Sequence, residues 1–426
     1  MEAVMNKVKI EKYPAYKESG VEWLGEIPMH WELTRLKYEI NYKKGKNPKN
    51  ITLEETKYVY LSMEYLRGAS QKVQYVNQDR DLVFVKDDNI LLLWDGSNAG
   101  EFIKGKSGVL SSTMALINVC NAHKQFAWYY LKFLEVQLRR TTVGMGIPHV
   151  SSDELSNMFF LTPTIEEQTA IAAFLDRKTA QIDKAIAQKE KLIELLKEHR
   201  QILIHKAVTR GLNPHVRMKD SGVEWIGEIP EHWKIVANRS LFEERDEPGN
   251  EFLPILSVSI HTAVSSEELE EDENIRGRIR IEDKSNYKLV LPNDIVFNMM
   301  RAWQGAIGVV RVTGMVSPAY IVAKLSKTIN GEYFEYQYRT QAFIQQMDRY
   351  SKGITDFRKR LYWNEFKQLL TILPPIEEQE EIVAFIQKLT EKTNKTIVHK
   401  EKEIEKLKEY KITLTNAAVT GKIKVS

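Results

Sequence analysis

Two sets of loops in this 426-residue chain carry side chains suited to gripping a polyanion and to hydrogen-bonding the edges of bases. The first set holds Asp95-Gly96-Ser97-Asn98-Ala99-Gly100, Lys104-Gly105-Lys106 and Ser111-Ser112, with Arg139-Arg140, Gly144-Met145-Gly146 and His149 further on. The second holds Asn298-Met299-Met300-Arg301-Ala302-Trp303-Gln304-Gly305, then Gly308, Ser317-Pro318, Arg349, Lys352-Gly353 and Asp356-Phe357-Arg358-Lys359-Arg360. Lys, Arg and backbone N–H groups hold phosphates, while Arg, Asn, Gln and Ser/Thr pair with base edges. Glycines beside them let the backbone come close. Ser97, Asn98, Lys104, Lys106 and His149 are the candidate contacts of the first set, and Arg301, Gln304, Arg358, Lys359 and Arg360 those of the second. Each is otherwise a solvated surface residue. The frame repeats while the side chains differ, as in two readers of two targets.

Other chemistries find little support. Gly100, Gly105, Lys106 and Ser107 match the G-x-x-x-x-G-K-S phosphate loop, which needs a strand just before it and a helix just after. Here the apolar run ends at Trp94, and Gly108-Val109-Leu110-Ser111-Ser112-Thr113 is poor helix. A nucleotide triphosphatase using residues 100–107 is the weaker alternative. No Asn/Asp-Pro-Pro-aromatic motif is present, so the chain is not expected to transfer methyl groups. Nine histidines and one cysteine show no His-Glu-x-x-His or Cys-x-x-Cys grouping, so neither a catalytic residue nor a metal site is assigned.

The elements that must position these loops occur twice. Residues 19–31 read SGVEWLGEIPMHW and residues 221–233 read SGVEWIGEIPEHW, differing only at Leu24/Ile226 and Met29/Glu231. A period near 200 residues marks duplicated domains, not a solenoid. Trp23, Trp31, Trp225 and Trp233 read as packing anchors, and Gly25, Pro28, Gly227 and Pro230 as turn residues. Between each SGVEW motif and the next long helix lies a mixed segment, roughly 32–162 and 234–373. Strands are expected over 57–61, 82–85, 90–94, 252–260, 287–291 and 307–312, and helices over 126–138 and 331–347.

Each long helix opens on a proline and an Ile-Glu-Glu-Gln, at Pro163-Thr164-Ile165-Glu166-Glu167-Gln168 and Pro374-Pro375-Ile376-Glu377-Glu378-Gln379, an offset of 211 residues. Thr164 and Glu167 form a capping box, lost in the second copy where Pro375 stands. Glu377 and Glu378 still favour the positive end of the helix dipole. Both helices close on Ala-Val-Thr and a glycine, Gly211 or Gly421. Ile186, Ile193, Leu196 and Leu203 recur as Ile397, Ile404, Leu407 and Leu414, the spacing of a coiled-coil seam. Lys189 and Lys400 share one seam position, where a lysine weakens packing but fixes register. About 45 residues make a helical rod of about 70 Å. A coiled-coil adaptor without nucleic-acid affinity is the second alternative.

The length suits two or three domains, and a 43% apolar share suffices for packed cores. A net charge of +3 is compatible with nucleic acid without demanding it. One cysteine, Cys120, excludes a disulfide framework and fits a reducing compartment. No signal-peptide core and no apolar run of about 20 residues is present, so a cytoplasmic location is expected.

The doubled SGVEW motif and the doubled Pro-x-Ile-Glu-Glu-Gln start resemble the specificity subunit of Type I restriction–modification systems, over nearly the whole chain. The resemblance implies an α+β fold with two target-recognition domains separated by two long helices in an antiparallel coiled coil. On this chain the domains would be 1–164, the helix 165–212, 213–375, and the helix 376–426. It implies a non-catalytic subunit that reads a bipartite, asymmetric site in double-stranded DNA. Two methyltransferase subunits and two motor–nuclease subunits would be its partners. No cofactor would sit on this chain; S-adenosylmethionine, ATP and Mg would belong to the partners.

Overall fold

The structure is a computed structural model that describes all residues except 1–10, 70, 71, 78–80, 143–147, 251, 261, 267–285, 327, 354–357 and 426. Two compact units emerge, Met1–Lys189 with Lys402–Ser426, and Glu190–Glu401. Each holds one mixed segment and one end of each long helix.

In the first unit the SGVEW motif folds as a hairpin of Tyr16–Glu18 on Glu26–Pro28. The chain then enters its mixed segment through Glu32–Arg35 and leaves it through the antiparallel neighbour Phe159–Thr162. Between them a sheet runs in the order Ile40–Lys44, Met114–Val119, Ile90–Leu93, Phe102–Lys104, all antiparallel. Ile90, Leu91, Leu92 and Leu93 are all buried. A strand covered on both faces reads as a continuous apolar run, which is why it was visible in sequence. A second sheet orders Tyr75–Val76, Tyr58–Leu61, Gly108–Leu110 and Phe84–Val85, with the middle pair parallel. Helix Lys124–Arg140 lays Phe126 and Tyr130 on Phe160. From the same helix the Tyr129 hydroxyl donates to Asp176 of the long helix at 2.7 Å.

The second unit repeats the frame. Its hairpin is Met218–Asp220 on Glu228–Pro230, and Lys234–Ala237 pairs with Leu370–Leu373. Its main sheet orders Phe242–Glu244, Tyr320–Leu325, Ile295–Asn298 and Ile307–Val309. A parallel bridge between Ile255 and Met315 stands where the first unit has its parallel pair. Two expectations need correction. The helix read over 331–347 is two helices, Gly331–Tyr338 and Gln341–Tyr350. At the break the Thr340 hydroxyl donates to the Gln337 carbonyl, and Arg339 turns inward onto backbone carbonyls. The strand read over 252–260 shrinks to Leu256–Ser259, because Phe252 projects into solvent, 87% exposed.

The long helices span Ile165–Arg210 and Ile376–Val419. Reciprocal bonds of 3.3 Å between Thr164 and Glu167 close the capping box. In the first unit Asp183 pairs with Lys411 at 2.7 Å and Lys189 with Glu403 at 2.5 Å, so the helices run antiparallel there. In the second unit Arg200 donates to Asn394 at 2.8 Å. Ile186, Ile193, Ile397, Ile404 and Leu414 are buried, and Leu196, Leu203 and Leu407 half-buried. Lys189 reaches the seam edge, where its ammonium meets the carboxylate of Glu403.

The two repeated motifs bind each other. In the second unit Trp233 is fully buried and its indole N–H donates to Glu378 at 3.0 Å, while His232 meets the other carboxylate oxygen at 2.6 Å. In the first, Trp31 and His30 do the same with Glu167, at 3.5 and 3.0 Å. Gln168 accepts the His123 N–H and Gln379 accepts the Asn330 N–H, each from the residue that caps the next helix of its mixed segment. Each mixed segment is thus fixed to the start of a long helix through the same Glu-Gln pair. Trp23 and Trp225 are less buried and pack on Phe133 and Phe343.

Candidate nucleic-acid interface

In each unit the loop after the central strand meets the segment that leads back to the exit strand. In the first unit the Val150 N–H donates to the Trp94 carbonyl, and the Gly96 N–H to the Pro148 carbonyl, both at 2.9 Å. In the second, the Leu361 N–H donates to the Met299 carbonyl at 2.8 Å. Trp94 and Met299 each follow the central strand, so His149 and Arg360 hold equivalent places. Gly100 and Gly305 both end the loop in the left-handed region, at φ 90° and 94°, which a side chain would strain.

Around the first loop, Ser97 and His149 are exposed and Asn98 is half-buried, its amide 3.4 Å from the Ser97 hydroxyl. Lys44 joins them, lying 5.2 Å from the Trp94 ring and 3.3 Å from Asp95. Nothing in the sequence around Lys44 marks it for this site. Only the strand register, which sets Ala115 opposite both Lys44 and Leu92, brings it to this loop.

Lys104 and Lys106 are not brought to Ser97. Lys104 pairs with Ile90, at the far end of the hairpin from the 95–100 turn. Its ammonium donates to Gln125 at 3.1 Å and lies 4.8 Å from the Trp128 ring. Burial pulls its pKa below the ordinary lysine value, with Asp88 opposing. Lys106 is exposed, 5.0 Å from the Tyr65 ring. The phosphate-loop alternative falls here. Residues 100–107 contain strand Phe102–Lys104, and strand Gly108–Leu110 follows where a helix is required. The Gly105 and Ser107 N–H groups donate to Asn89 and Asp87, so they do not line an anion cradle.

Around the second loop, Arg301, Gln304 and Arg358 are exposed, and Lys359 and Arg360 are half-buried. Lys359 pairs with Asp348 at 2.6 Å and lies 5.0 Å from the Trp303 ring. Arg360 donates to the Lys359 carbonyl at 2.9 Å. Behind the loop, Arg339 donates to the carbonyls of Gly305, Ile307, Ser259 and Ile260 at 2.7 to 3.4 Å. Burial holds its pKa below the usual guanidinium value, Glu335 opposing. Nothing in an Arg-Thr pair between aromatic runs announces the inward guanidinium of Arg339. Asp356, Phe357 and Gly144-Met145-Gly146 lie outside the described residues. Among the described residues no group of three His, Cys, Asp or Glu is placed to hold a metal ion. No described helix is long and apolar enough to cross a membrane.

Both surfaces therefore present a polar turn ending in glycine beside a return segment, on the same frame with different side chains: the first carries Ser97, Asn98 and His149, the second Arg301, Gln304 and the basic run Arg358-Lys359-Arg360. Comparison with known proteins agrees with that duplication. The family described as "Type I restriction modification DNA specificity domain" matches residues 28–195 and again 228–406. The MjaVIII specificity subunit of Methanocaldococcus jannaschii is 39% identical over 229 residues, about half of each chain (52%). The putative MjaX specificity subunit of the same organism is 24% identical over 96% of this chain and 98% of its own. The EcoBI specificity subunit of Escherichia coli is 26% identical over 76% of this chain and 71% of its own. The fold is also that of the HsdS subunit from Thermoanaerobacter tengcongensis, at a TM-score of 0.52 and 12% identity over 95% of this chain and all of that one. A chain from a type I R-M system solved for its complex assembly gives 0.64 at 12% identity, covering 92% and 98%. With both halves matched, the chain belongs to the Type I restriction–modification DNA specificity family.

Proposed function

We propose that this chain reads a bipartite, asymmetric site in double-stranded DNA, one half per mixed segment, and delivers methyltransferase and motor–nuclease subunits to it. The observation that carries the reading is the pair of equivalent loops with different chemistry. Ser97, Asn98 and His149 offer a hydroxyl, an amide and an imidazole, while Arg301, Gln304, Arg358 and Arg360 offer guanidinium groups and an amide. Arg suits guanine and Asn or Gln suits adenine in the major groove, so the two half-sites should differ. Catalysis, S-adenosylmethionine, ATP and Mg then belong to the partners, two copies of each. The long helices supply a docking face. Leu192, Leu195 and Ile202 recur at helical spacing and stay exposed in the second unit, an apolar stripe of the kind that marks a protein contact. Binding of the purified chain to duplex DNA tests the reading. Affinity should fall steeply with salt as phosphate contacts release counterions, and salt-independent or absent binding would refute it.

A further inference from the structure

The two motif junctions share a frame and differ in one respect. In the first unit Tyr13 is buried against His30 and Trp31, with ring centroids 5.6 and 5.7 Å apart. Burial first, and then the negative charge of the neighbouring Glu167 carboxylate, hold the Tyr13 hydroxyl above its ordinary pKa. The Tyr16 hydroxyl donates to the Gly421 carbonyl at 3.2 Å. Two tyrosines thus close the junction between the end of one long helix and the start of the other. In the second unit the same hairpin register puts His215 and Met218 at their places, because the Glu231 N–H donates to Arg217 as the Met29 N–H donates to Ala15. His215 is exposed. Here lies a cavity of about 400 Å³, lined in part by Gly211, Pro230, His232, Glu378 and Ile382. Four of these walls correspond to the residues around Tyr13 and Tyr16: Gly421, Pro28, His30 and Glu167.

We propose that this cavity is a receptor for a tyrosine side chain presented by a second polypeptide. The first unit shows what the frame accepts: a phenol ring against the His-Trp corner, close enough to the glutamate for that carboxylate to act on its hydroxyl. The cavity falls within the usual range of ligand pockets, roughly 300–1,000 Å³, which leaves room for backbone on either side of the ring. Arg210 and Glu381 also line it and offer a charge of each sign to the flanking residues. A hydroxyl on a partly shielded carboxylate is a charge-assisted bond, stronger than a neutral one, so tyrosine should be preferred over phenylalanine. The inference rests on the repeat and is independent of DNA reading.

The test uses the full chain and a labelled peptide copying residues 11–18, the chain's own plug, followed by fluorescence anisotropy. One saturable site is expected. A peptide with Tyr13→Phe should bind about tenfold more weakly, the loss of one hydrogen bond to a charged acceptor, and one with Tyr13→Ala weaker still. Val216 also lines the cavity, so Val216→Trp in the chain should fill it and weaken binding by about tenfold or more. The peptide series is read on the unaltered chain, so it decides the matter even if Val216→Trp perturbs folding. Absent saturation, equal binding of the Tyr13→Ala peptide, or p-cresol binding as tightly as the peptide would each overturn the proposal, the last by making this a small-phenol site.

Discussion

Removing the Glu378 carboxylate should loosen the second unit at its motif junction. Trp233 is fully buried, and its indole N–H has Glu378 as acceptor at 3.0 Å. In Glu378→Ala that N–H stays buried without an acceptor, at a cost of about 1–3 kcal/mol. The bond to His232 adds less, because that side chain is 45% exposed and screened. Together the loss should be about 2 kcal/mol for Glu378→Ala, and about half that for Glu378→Gln, which keeps an acceptor for the indole. Urea unfolding measures the loss, and hydrogen exchange at the Trp233 indole N–H localises it. An Ala variant within about 0.5 kcal/mol of the natural chain, the range of ordinary surface substitutions, would mean that the carboxylate does not hold the junction. A Gln variant as costly as Ala would mean that the acceptor is not what matters.

Four further outcomes follow from the same geometry. Gly211 and Gly421 both have positive φ, near 74° and 71°. A Cβ at Gly211 would lie 3.2 Å from Trp233, whereas one at Gly421 would overlap Pro28. Gly211→Ala should therefore cost about 1–2 kcal/mol, and Gly421→Ala about 1–3 kcal/mol more, read by thermal unfolding. Glu167 titrates below the ordinary glutamate range: burial raises its pKa, but His30, the Thr164 N–H and Trp31 lower it further. A depressed carboxylate contributes stability above its unfolded value and loses it as pH falls through the folded one. A pH series of melts should thus show the first unit weakening below about pH 4, with a shallower fall in Glu167→Gln. Lys189→Met would take the ammonium away from the Glu403 carboxylate, which is only 17% exposed, and should destabilise the helix pair by roughly 1 kcal/mol in urea. Replacing Arg358, Lys359 and Arg360 by Ala should weaken DNA binding and reduce the salt slope by about 1 for each phosphate no longer gripped. An unchanged slope on a folded variant would remove those residues from the DNA.

The duplication, the long helices and their seam were legible because each is written as a pattern along the chain. The 13-residue SGVEW motif, the Glu-Glu-Gln start and the seven-residue apolar step need no tertiary knowledge. The buried strand Ile90–Leu93 was legible for the same reason, as an apolar run. What stayed hidden depends on register. Ser97 and Lys104 are close in sequence, yet opposite ends of a hairpin separate them. Lys44 is far from Ser97 along the chain and lies beside the same loop. Arg339 supports the second loop from behind, and only the break between two helices turns it inward. The interlocking of Trp233 with Glu378 joins two motifs that the sequence offered as separate signatures, 145 residues apart.

If two different loops on one frame read two different half-sites, the methylated sequence must show both. Methylation sequencing of DNA modified by this chain together with its methyltransferase partner tests it most directly. Two unlike short motifs separated by a fixed stretch of unspecified bases are expected. Exchanging residues 299–304 for another loop should change the second motif and leave the first as it was. A single contiguous motif, or a loop exchange that alters both halves together, would contradict it.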